Sequence, residues 1–386
     1  MTGSPKSERA QSGAGLNLPS CPVAMAAMQV APQALAEGVA SAFPGSPVSV
    51  GVATLAHQGR DRALASEVSI GGESVLVALV AEGVGEPSAV EWCAAHVVSL
   101  FVQATRDDPS APSLQRAGHH AFAHAHSEVN SLLQRKREQQ QQQGSSLSAA
   151  GPSACTVTLC AFNRLRHEVT TCNLGASAAL LFGARGGRTT ALSDDHRVAS
   201  SQQEQRRLQE LGVHLQCAQD AHGRPSGTLR AWPPGADSTH GVACARAIGS
   251  LGSAVDSRVV CAVPSCCTMA VPASGADLLI CSDGVWNELL VSAVAALART
   301  CPTPSAAAKI VVESAVAQHT SYYQAGYGVP RDDATSVVLR IGPSASSASP
   351  RRLPAPELAS DKSASRKAAS LIKRTSSSLL KRMKAG

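Results

Sequence analysis

The chain has 386 residues, of which 44% are hydrophobic and only 3% aromatic, and its formal net charge is +6. This composition predicts a globular chain with an aliphatic core. It contains no run of the roughly 18–20 apolar residues that a transmembrane segment needs. The charge is uneven, because residues 351–386 carry +8 and the remainder carries −2. A nucleic-acid-binding domain would present a basic face on the fold itself, so none is predicted.

The twelve cysteines are scattered and form no CxxC motif. This spacing argues against a zinc module and against a disulfide scaffold. Without a secretory signal, the cysteines are expected to be buried thiols in a reducing compartment, which predicts a cytoplasmic or nuclear protein. The acid-poor, serine-containing N-terminal stretch leaves organelle targeting as an open alternative.

The first half of the chain predicts an extension followed by strands and two helices. Residues 1–45 are rich in Ser, Gly, Pro and Ala and predict a flexible N-terminal extension. Alternating and continuous apolar segments then predict strands from Pro47 and over Val75 to Ala81. Prolines near their first residues mark helices over about Pro87 to Thr105 and Pro112 to Arg137.

The centre of the chain predicts a low-complexity insertion and a group of short strands. The segment RKREQQQQQ and the Ser/Gly-rich residues after it predict an exposed insertion near residues 135–153. The segments CTVTLCAF, HEVTTCN and SAALLFG read as strands. A polar helix fits Ser201 to Leu211, and residues 213–240 are expected to be irregular because they are rich in Gly, Pro, Asp and His.

The last part predicts a buried strand, helices over about Val291 to Thr300 and Ser305 to Tyr323, and a final strand. ADLLICS is a buried strand that ends at Asp283, and ATSVVLRI over Ala334 to Ile341 is the final strand. Residues 343–386 predict a Ser/Pro linker and a basic tail. Because the helices come in pairs between groups of strands, the order favours an α+β layered fold with antiparallel sheets.

Acidic residues at strand ends are the candidates for chemistry. Asp283 directly follows a buried strand, Asp332 and Asp333 directly precede another, and Glu82 ends the apolar run VLVALVA. Carboxylates gathered at the rim of an apolar layer suit Mg²⁺ or Mn²⁺, which prefer oxygen ligands. Taken singly, each acid also fits a turn.

The segment DLLICSDGVWNELL resembles the SDGxWD signature of the metal-dependent protein phosphatases, the PPM or type-2C family. Six further segments resemble that family's motifs in the same order: LVAEGVGE, SACTVTLCAF, TCNLGASAALLF, LSDDHRVASSQQEQRRLQELG, GVACARAIGS and RDDATSVVLRI. The resemblance covers most of a predicted domain at residues 46–342. It implies two antiparallel β-sheets packed as a sandwich, flanked by helices on both faces, with metals at one end.

The resemblance also implies which residues form the site. Glu82 stands where the family has the aspartate that bridges two metals, and Gly83 supplies a backbone carbonyl to the metal. Asp283 and Asp332 match metal-ligating aspartates. The early RxxxED element falls on Arg62, which is expected to contact phosphate as a planar fork. In the same element, Ser66 and Glu67 stand at the two acidic positions, and Glu67 is expected at the metal.

Three positions at the expected site lose the family's acid or imidazole outright. Val84 replaces a histidine that is a proposed general acid, so no catalytic residue is secure there, and valine cannot transfer a proton. Ala176 and Asn287 stand where further metal-site aspartates are expected. Fewer anionic ligands weaken a second cation most, so we expect one weakly bound Mg²⁺ or Mn²⁺.

The sequence therefore leaves several functions open. The first is a phosphatase-family protein with a depleted metal centre, weak or inactive, that binds phosphoserine or phosphothreonine proteins or regulates other proteins. The second is an active Mg/Mn-dependent serine/threonine phosphatase. The third is a scaffold recruited by its tail, which resembles an inducible basic amphipathic helix for an anionic membrane or a calmodulin-like partner. Basic residues that precede Ser370 and Ser376 also suit basophilic kinases. A solvated tail or a nuclear import signal remains the simpler alternative.

Overall fold

A computed structural model describes residues 47–142, 152–184, 187–219, 225–232, 241–251, 258–324 and 331–344. The predicted extension at residues 1–45 lies outside these ranges, and so does the predicted linker and tail from residue 345 onward.

The described residues form the following strands and helices in chain order. The strands are β1 Val48–Leu55, β2 Asp61–Ile70, β3 Glu73–Gly85, β4 Ser153–Asn163, β5 Glu168–Leu174, β6 Ala178–Gly183, β7 Thr189–Ala191, β8 His214–Gln219, β9 Pro225–Trp232, β10 Ile248–Ser250, β11 Ser265–Ala270, β12 Ala276–Cys281 and β13 Ala334–Ile341. The helices are α1 Ser88–Thr105, α2 Ala111–Gln142, α3 Gln202–Glu210, α4 Asp283–Trp286, α5 Val291–Thr300 and α6 Pro304–Gln324.

Two antiparallel sheets form the centre of the fold. The five-stranded sheet has the order β1-β13-β12-β6-β7, and the six-stranded sheet has the order β11-β5-β4-β3-β2 with β10 beside β4. Strands β8 and β9 form a separate hairpin. Helices α1 and α2 cover the outer face of the six-stranded sheet, and α5 and α6 cover that of the five-stranded sheet. The predicted α+β sandwich with helices on both faces is therefore confirmed.

Strand β3 shows how the sequence builds these layers. Val75, Val77 and Leu79 pack toward α1 and α2, whereas Leu76 and Val80 pack between the two sheets. Successive side chains of a strand point to opposite faces, and both faces of this central strand are covered. A continuous apolar run is the result. Its alternation also directs the next even-numbered side chain, at position 82, toward the rim between the sheets.

Two segments differ from the sequence expectation. Helix α2 continues to Gln142, so residues 135–142 of the RKREQQQQQ segment are helical and mostly exposed, and Glu, Gln, Lys and Arg favour a helix. The remainder of the predicted insertion, residues 143–151, lies outside the described part. The prediction of an irregular segment at 213–240 was wrong over β8 and β9, which pair as antiparallel strands, while residues 220–224 and 233–240 lie outside the described part. Leu215 and Leu229 pack that hairpin against a fourth apolar cluster, and this packing outweighs the weak β propensity of its residues.

No helix in the described residues is long and apolar enough to cross a membrane.

Candidate metal centre

Two aspartates meet at one end of the sandwich because β12 and β13 are antiparallel neighbours. Asp283 follows the end of β12, and Asp332 lies two residues before β13. Between them, the Ser282 N–H donates to the Thr335 carbonyl at 3.0 Å, and the Thr335 N–H donates to Ser282 Oγ at 2.9 Å. Gly284 permits this approach, since a Cβ there would lie 2.0 Å from the Asp333 carbonyl oxygen. The two carboxylates predicted to share a rim do so.

Glu82 reaches the same rim from the other sheet. It lies near the end of β3 and is buried, and Thr156 Oγ1 of β4 donates to its Oε2 at 2.7 Å. Its Oε1 accepts the backbone N–H of Asp283 at 2.5 Å. Glu82 therefore joins the two sheets at the point where Asp283 begins α4.

Asp61 is a site residue that the sequence interpretation missed. It is the first residue of β2 and lies directly opposite Glu82 in the strand pairing. Its carboxylate is buried, and its Oδ2 has no hydrogen-bond partner. Burial raises the pKa of Asp61 to about 7, and the charges of Asp333 and Asp332 act in the same direction. The available signal was an acid at the start of a strand, in the segment GRDRALA.

The carboxylates of the rim repel one another in the absence of a cation. Burial, with the charges of Asp283 and Asp61, raises the pKa of Glu82 well above its usual value. Burial and the charge of Asp332 raise the pKa of Asp283 to about 6. An anionic cluster in which Asp61 and Glu82 are buried is stabilised by positive charge.

The donor set fits a hard divalent cation in its chemistry. Asp61, Glu82, Asp283 and Asp332 offer carboxylate oxygens, and the buried Oδ2 of Asp61 has no hydrogen-bond partner. Within the described residues, no three His, Cys, Asp or Glu side chains surround one point as ligands of a single ion do. The carboxylates would have to turn toward an ion to bind it together.

Glu67 lies elsewhere, contrary to the expectation from the sequence. It pairs with Leu76 further along β2, six residues from Asp61, and accepts from Arg164 Nη1 at 2.8 Å. Ser74 Oγ also donates to the Glu67 carboxylate. Ser66 is likewise remote, since it pairs with Val77. Asp61, rather than Glu67, is therefore the acid that β2 brings to the rim.

Arg62 lies beside Asp61, but its guanidinium is turned onto the backbone. Its Nη1 donates to the carbonyls of Gly59 at 2.8 Å and Asp61 at 2.9 Å, and its Nη2 lies 3.5 Å from Glu91. These bonds hold the turn before β2. A phosphate contact by Arg62 stays a prediction.

Residues 83 and 84 follow Glu82 at the end of β3. The Gly83 N–H donates to the Arg60 carbonyl at 3.1 Å, and a Cβ at this position would lie 3.0 Å from the same carbonyl oxygen. Its neighbour Val84 is 40% exposed. The position beside the rim is therefore accessible to solvent and carries no proton donor.

Ala176 lies in a turn packed on the Glu82 contact. Gly175, which precedes it, has a φ of +129°, and a Cβ there would lie 2.2 Å from the Cβ of Thr156. The Gly175 N–H donates to His196 Nδ1 at 3.0 Å. Burial lowers the pKa of this histidine to about 4, so it is a neutral acceptor that fixes the turn. Ala176 is close to the site and contributes no anionic ligand.

Asn287 is in contact with a basic side chain that the sequence interpretation did not assign to the site. Arg197 Nη1 donates to Asn287 Oδ1 at 2.6 Å. The same guanidinium binds Asp195, with Nε 2.9 Å and Nη2 2.8 Å from Oδ2. A positive charge therefore stands beside the α4 turn that begins with Asp283.

Asp333 is a structural residue of the site rather than a candidate ligand. Its Oδ1 accepts the backbone N–H groups of His57 at 2.5 Å, Gln58 at 2.7 Å and Gly59 at 3.1 Å. Its Oδ2 accepts those of Arg60 at 2.5 Å and Asp61 at 3.0 Å. Burial works to raise the pKa of Asp333, but these N–H groups outweigh it and hold the pKa below its usual value. The carboxylate thus fixes the segment that carries Asp61.

Comparisons with known proteins agree with this architecture. Residues 64–322, which are more than half of the chain, match the family profile "Protein phosphatase 2C". "Probable protein phosphatase 2C 33" of Oryza sativa subsp. japonica is 30% identical over 205 residues, which are 53% of this chain and 42% of that protein. "Probable protein phosphatase 2C 5" of Arabidopsis thaliana is 30% identical over 176 residues, which are 46% of this chain and 36% of that protein.

Solved structures share the fold. A serine-threonine phosphatase 2C from Toxoplasma gondii superposes with a TM-score of 0.57 and 13% identity, covering 79% of this chain and 98% of that chain. A C. elegans sex determining protein gives a TM-score of 0.52 and 18% identity, covering 78% of this chain and 65% of that chain. At these identities the likeness shows the fold alone.

The fold and the site define an α+β sandwich protein with a candidate metal centre at one end, and the profile match defines its family. The chain belongs to the protein phosphatase 2C family of serine/threonine phosphatases. Its match to the two curated relatives covers 42% and 36% of their length.

Proposed function

We propose that this chain is a phosphoprotein-binding domain of the protein phosphatase 2C type with a depleted metal centre. It holds one Mg²⁺ or Mn²⁺ weakly and turns over phosphoserine and phosphothreonine slowly or not at all. The observation that carries the proposal is the meeting of three carboxylates beside the aliphatic Val84: the buried Asp61 and Glu82 lie opposite each other in the strand pairing, and Glu82 Oε1 accepts the Asp283 N–H. Binding of a phosphoryl group is supported at such a rim, and proton transfer to the leaving alcohol is not.

The side chains divide the work as follows. Glu82 is oriented by Thr156 and by the Asp283 N–H, so one carboxylate is fixed in advance. Asp61 offers its unpartnered Oδ2. A bound divalent cation would supply the positive charge that offsets phosphoryl oxygens and lowers the pKa of water. Val84 leaves the leaving-group oxygen to be protonated by solvent.

The second candidate is an active Mg/Mn-dependent serine/threonine phosphatase. Asp61 favours it, because this residue supplies from β2 an aspartate that Glu67 does not. Asp61 supplies one acidic ligand, but the acids missing at Ala176 and Asn287 and the proton donor missing at Val84 are still not replaced. We therefore rank this function second.

A phosphatase assay separates the two candidates. The purified full chain is assayed with a phosphoserine peptide across millimolar Mn²⁺, with Asp283→Ala as the background. The proposal expects a rate near that background. A Mn²⁺-dependent rate far above it, lost in Asp283→Ala, establishes the active phosphatase instead.

Val84→His tests the missing proton. An alkyl phosphate needs a proton on its poor leaving group, whereas an aryl phosphate needs it less. Residual activity of the unmodified chain is therefore expected to favour an aryl phosphate, and Val84→His to raise phosphoserine turnover by about 10-fold or more relative to aryl phosphate. Equal turnover of both substrates by the unmodified chain would show that another group supplies the proton.

The third candidate, a scaffold recruited through the basic tail, lies outside the described residues. Kinase, calmodulin-like and anionic-membrane contacts of residues 351–386 stay predictions, as does a cytoplasmic or nuclear location. Cosedimentation of the full chain with phosphatidylserine vesicles, with and without the tail, tests the membrane contact. Equal sedimentation of both forms would reject it.

A further inference from the structure

Arg197 is a positive charge held in a fixed position next to the carboxylate rim. Its backbone N–H donates to Asp195 Oδ1 at 3.0 Å, and its guanidinium forms a fork with the same carboxylate. Ser200 Oγ donates to Asp195 Oδ2 at 2.6 Å and holds the acid in turn. The side chain therefore has little freedom, although it remains 33% exposed.

Asn287 connects this guanidinium to Asp283. Its Oδ1 accepts from Arg197 Nη1 at 2.6 Å, while its backbone N–H donates to the Asp283 carbonyl at 2.8 Å. An amide can accept on one side and donate on the other, which an ionised carboxylate cannot do. Asn287 is thus suited to stand between a cation and an anion.

The charge of Arg197 acts on the rim itself. Interaction with Asp283 and Glu82 contributes to the raised pKa of the guanidinium, after the larger contribution of its hydrogen bond to Asp195. A guanidinium has five N–H donors. The bonds to Asp195 and Asn287 use three of them. Two donors, one on each terminal nitrogen, are left on a half-exposed side chain.

We propose that Arg197 is a phosphoryl-binding residue, and that its guanidinium takes the place of a second divalent cation at the rim. The inference rests on the proposed function, because it concerns the same site. The ligand class is a phosphomonoester dianion, which a guanidinium binds through paired N–H donors. Carboxylates repel this dianion, so one divalent cation and Arg197 together provide the positive charge that admits it. The same fixed charge disfavours a second divalent ion a short distance away.

Calorimetry with Mn²⁺ and with inorganic phosphate tests the inference without turnover. The full chain is expected to bind one Mn²⁺, and to bind phosphate only when Mn²⁺ is present. Arg197→Gln is expected to weaken phosphate binding about 10- to 100-fold and to strengthen Mn²⁺ binding. Arg197→Lys keeps the charge but not the fork, so its phosphate affinity should fall between the two. Arg116→Ala, an exposed arginine of α2, is the matched control and should change neither affinity.

The variant Asn287→Asp gives a second, independent measurement. Alone, it would pair with Arg197, so its added charge should leave the Mn²⁺ stoichiometry at one. Combined with Arg197→Gln, the new carboxylate is unpaired and a second Mn²⁺ event should appear. Thermal melting confirms that each variant is folded.

Two outcomes overturn the inference and are distinguishable from each other. Mn²⁺-dependent phosphate binding that is unchanged in Arg197→Gln and lost in Asp283→Ala would reject the role of Arg197 and leave the proposed function standing. Absence of both Mn²⁺ and phosphate binding in the unmodified chain would reject the proposed function and the inference together.

Discussion

Asp333 accepts the N–H groups of five consecutive residues, which makes it the best-supported test at the scale of one residue. Asp333→Asn keeps the shape of the side chain but replaces one acceptor oxygen with an N–H₂ group. That group faces backbone N–H donors, so buried donors lose their partner and the segment that carries Asp61 must move. We expect a loss of about 1–3 kcal/mol in the free energy of unfolding and a weaker Mn²⁺ affinity.

Urea unfolding and Mn²⁺ calorimetry measure the two effects of Asp333→Asn. Asp108→Asn is the control, because that exposed carboxylate accepts a single backbone N–H, from Ser110 at 3.0 Å. A variant with unchanged stability and unchanged Mn²⁺ binding would contradict the positioning role of Asp333.

Asp61 and Glu67 show what a residue pattern can and cannot decide. The resemblance pointed to an acid on this strand, and the strand does supply one. The two acids are six residues apart, and an even spacing places both on the same face of β2. Alternation therefore cannot distinguish them. Pairing with β3 decides, because it places Asp61 opposite Glu82 and Glu67 opposite Leu76.

At the scale of one element, α3 is joined to the rest of the molecule by a buried ion cluster. Glu204 is 1% exposed, and its Oε1 accepts from Arg246 Nε at 2.9 Å and Nη2 at 2.6 Å. Its Oε2 accepts from Arg207 Nε at 2.8 Å. Arg207 also donates to the Val259 carbonyl at 2.9 Å. The cluster anchors the helix that follows Arg197.

Glu204→Gln should therefore destabilise the fold strongly. The amide removes the negative charge and leaves the buried Arg246 and the half-buried Arg207 without their anion, which costs about 3–5 kcal/mol. The drop is measured by chemical denaturation. Glu210→Gln, on the exposed end of the same helix, is the control and should stay within about 0.5 kcal/mol of the unmodified chain. Equal stability of the two variants would show that the cluster contributes nothing.

The elements themselves were predicted unevenly, for a physical reason. Helices α1, α5 and α6 and strand β13 lie within a residue or so of their expected bounds, because each has strong periodicity and clear end signals. The β8–β9 hairpin was missed, since its short polar strands are held by tertiary packing and not by a local pattern. Arg197 and Asn287 are 90 positions apart, and no local sequence pattern predicts their contact.

At the scale of the whole molecule, the carboxylates of the rim destabilise the cation-free fold but provide ligands for a cation. It takes carboxylates from β2, β3, the end of β12 and the start of β13, so both sheets converge on one anionic cluster. A sandwich held by apolar layers can tolerate such a cluster at its edge, because the core contacts lie away from it. We infer that a divalent cation would stabilise the two sheets against each other as well as bind phosphate.

The last prediction concerns how this stability depends on pH. Burial raises the pKa of Asp61 to about 7 and that of Asp283 to about 6, both above the ordinary value of 3.8. A group whose pKa is higher in the folded state contributes stability that is fully present below its unfolded pKa. That stability is lost as pH rises through the folded pKa. The cation-free chain should therefore lose stability between about pH 4 and pH 7, whereas stabilisation by Mn²⁺, which needs ionised ligands, should grow over the same range. Melting temperatures at pH 5.5 and pH 7.5, with and without Mn²⁺, measure both trends.

Asp61→Asn removes one carboxyl group whose pKa is raised. At pH 7.5 the free energy of unfolding of the cation-free variant should therefore rise by on the order of 1–3 kcal/mol, and Mn²⁺ should stabilise the variant less. Glu313→Gln, on the exposed face of α6, should follow the unmodified chain. The prediction fails if the cation-free chain melts at a higher temperature at pH 7.5 than at pH 5.5 and Asp61→Asn does not change its melting temperature. That result would show that ionisation of the rim carboxylates does not destabilise the fold.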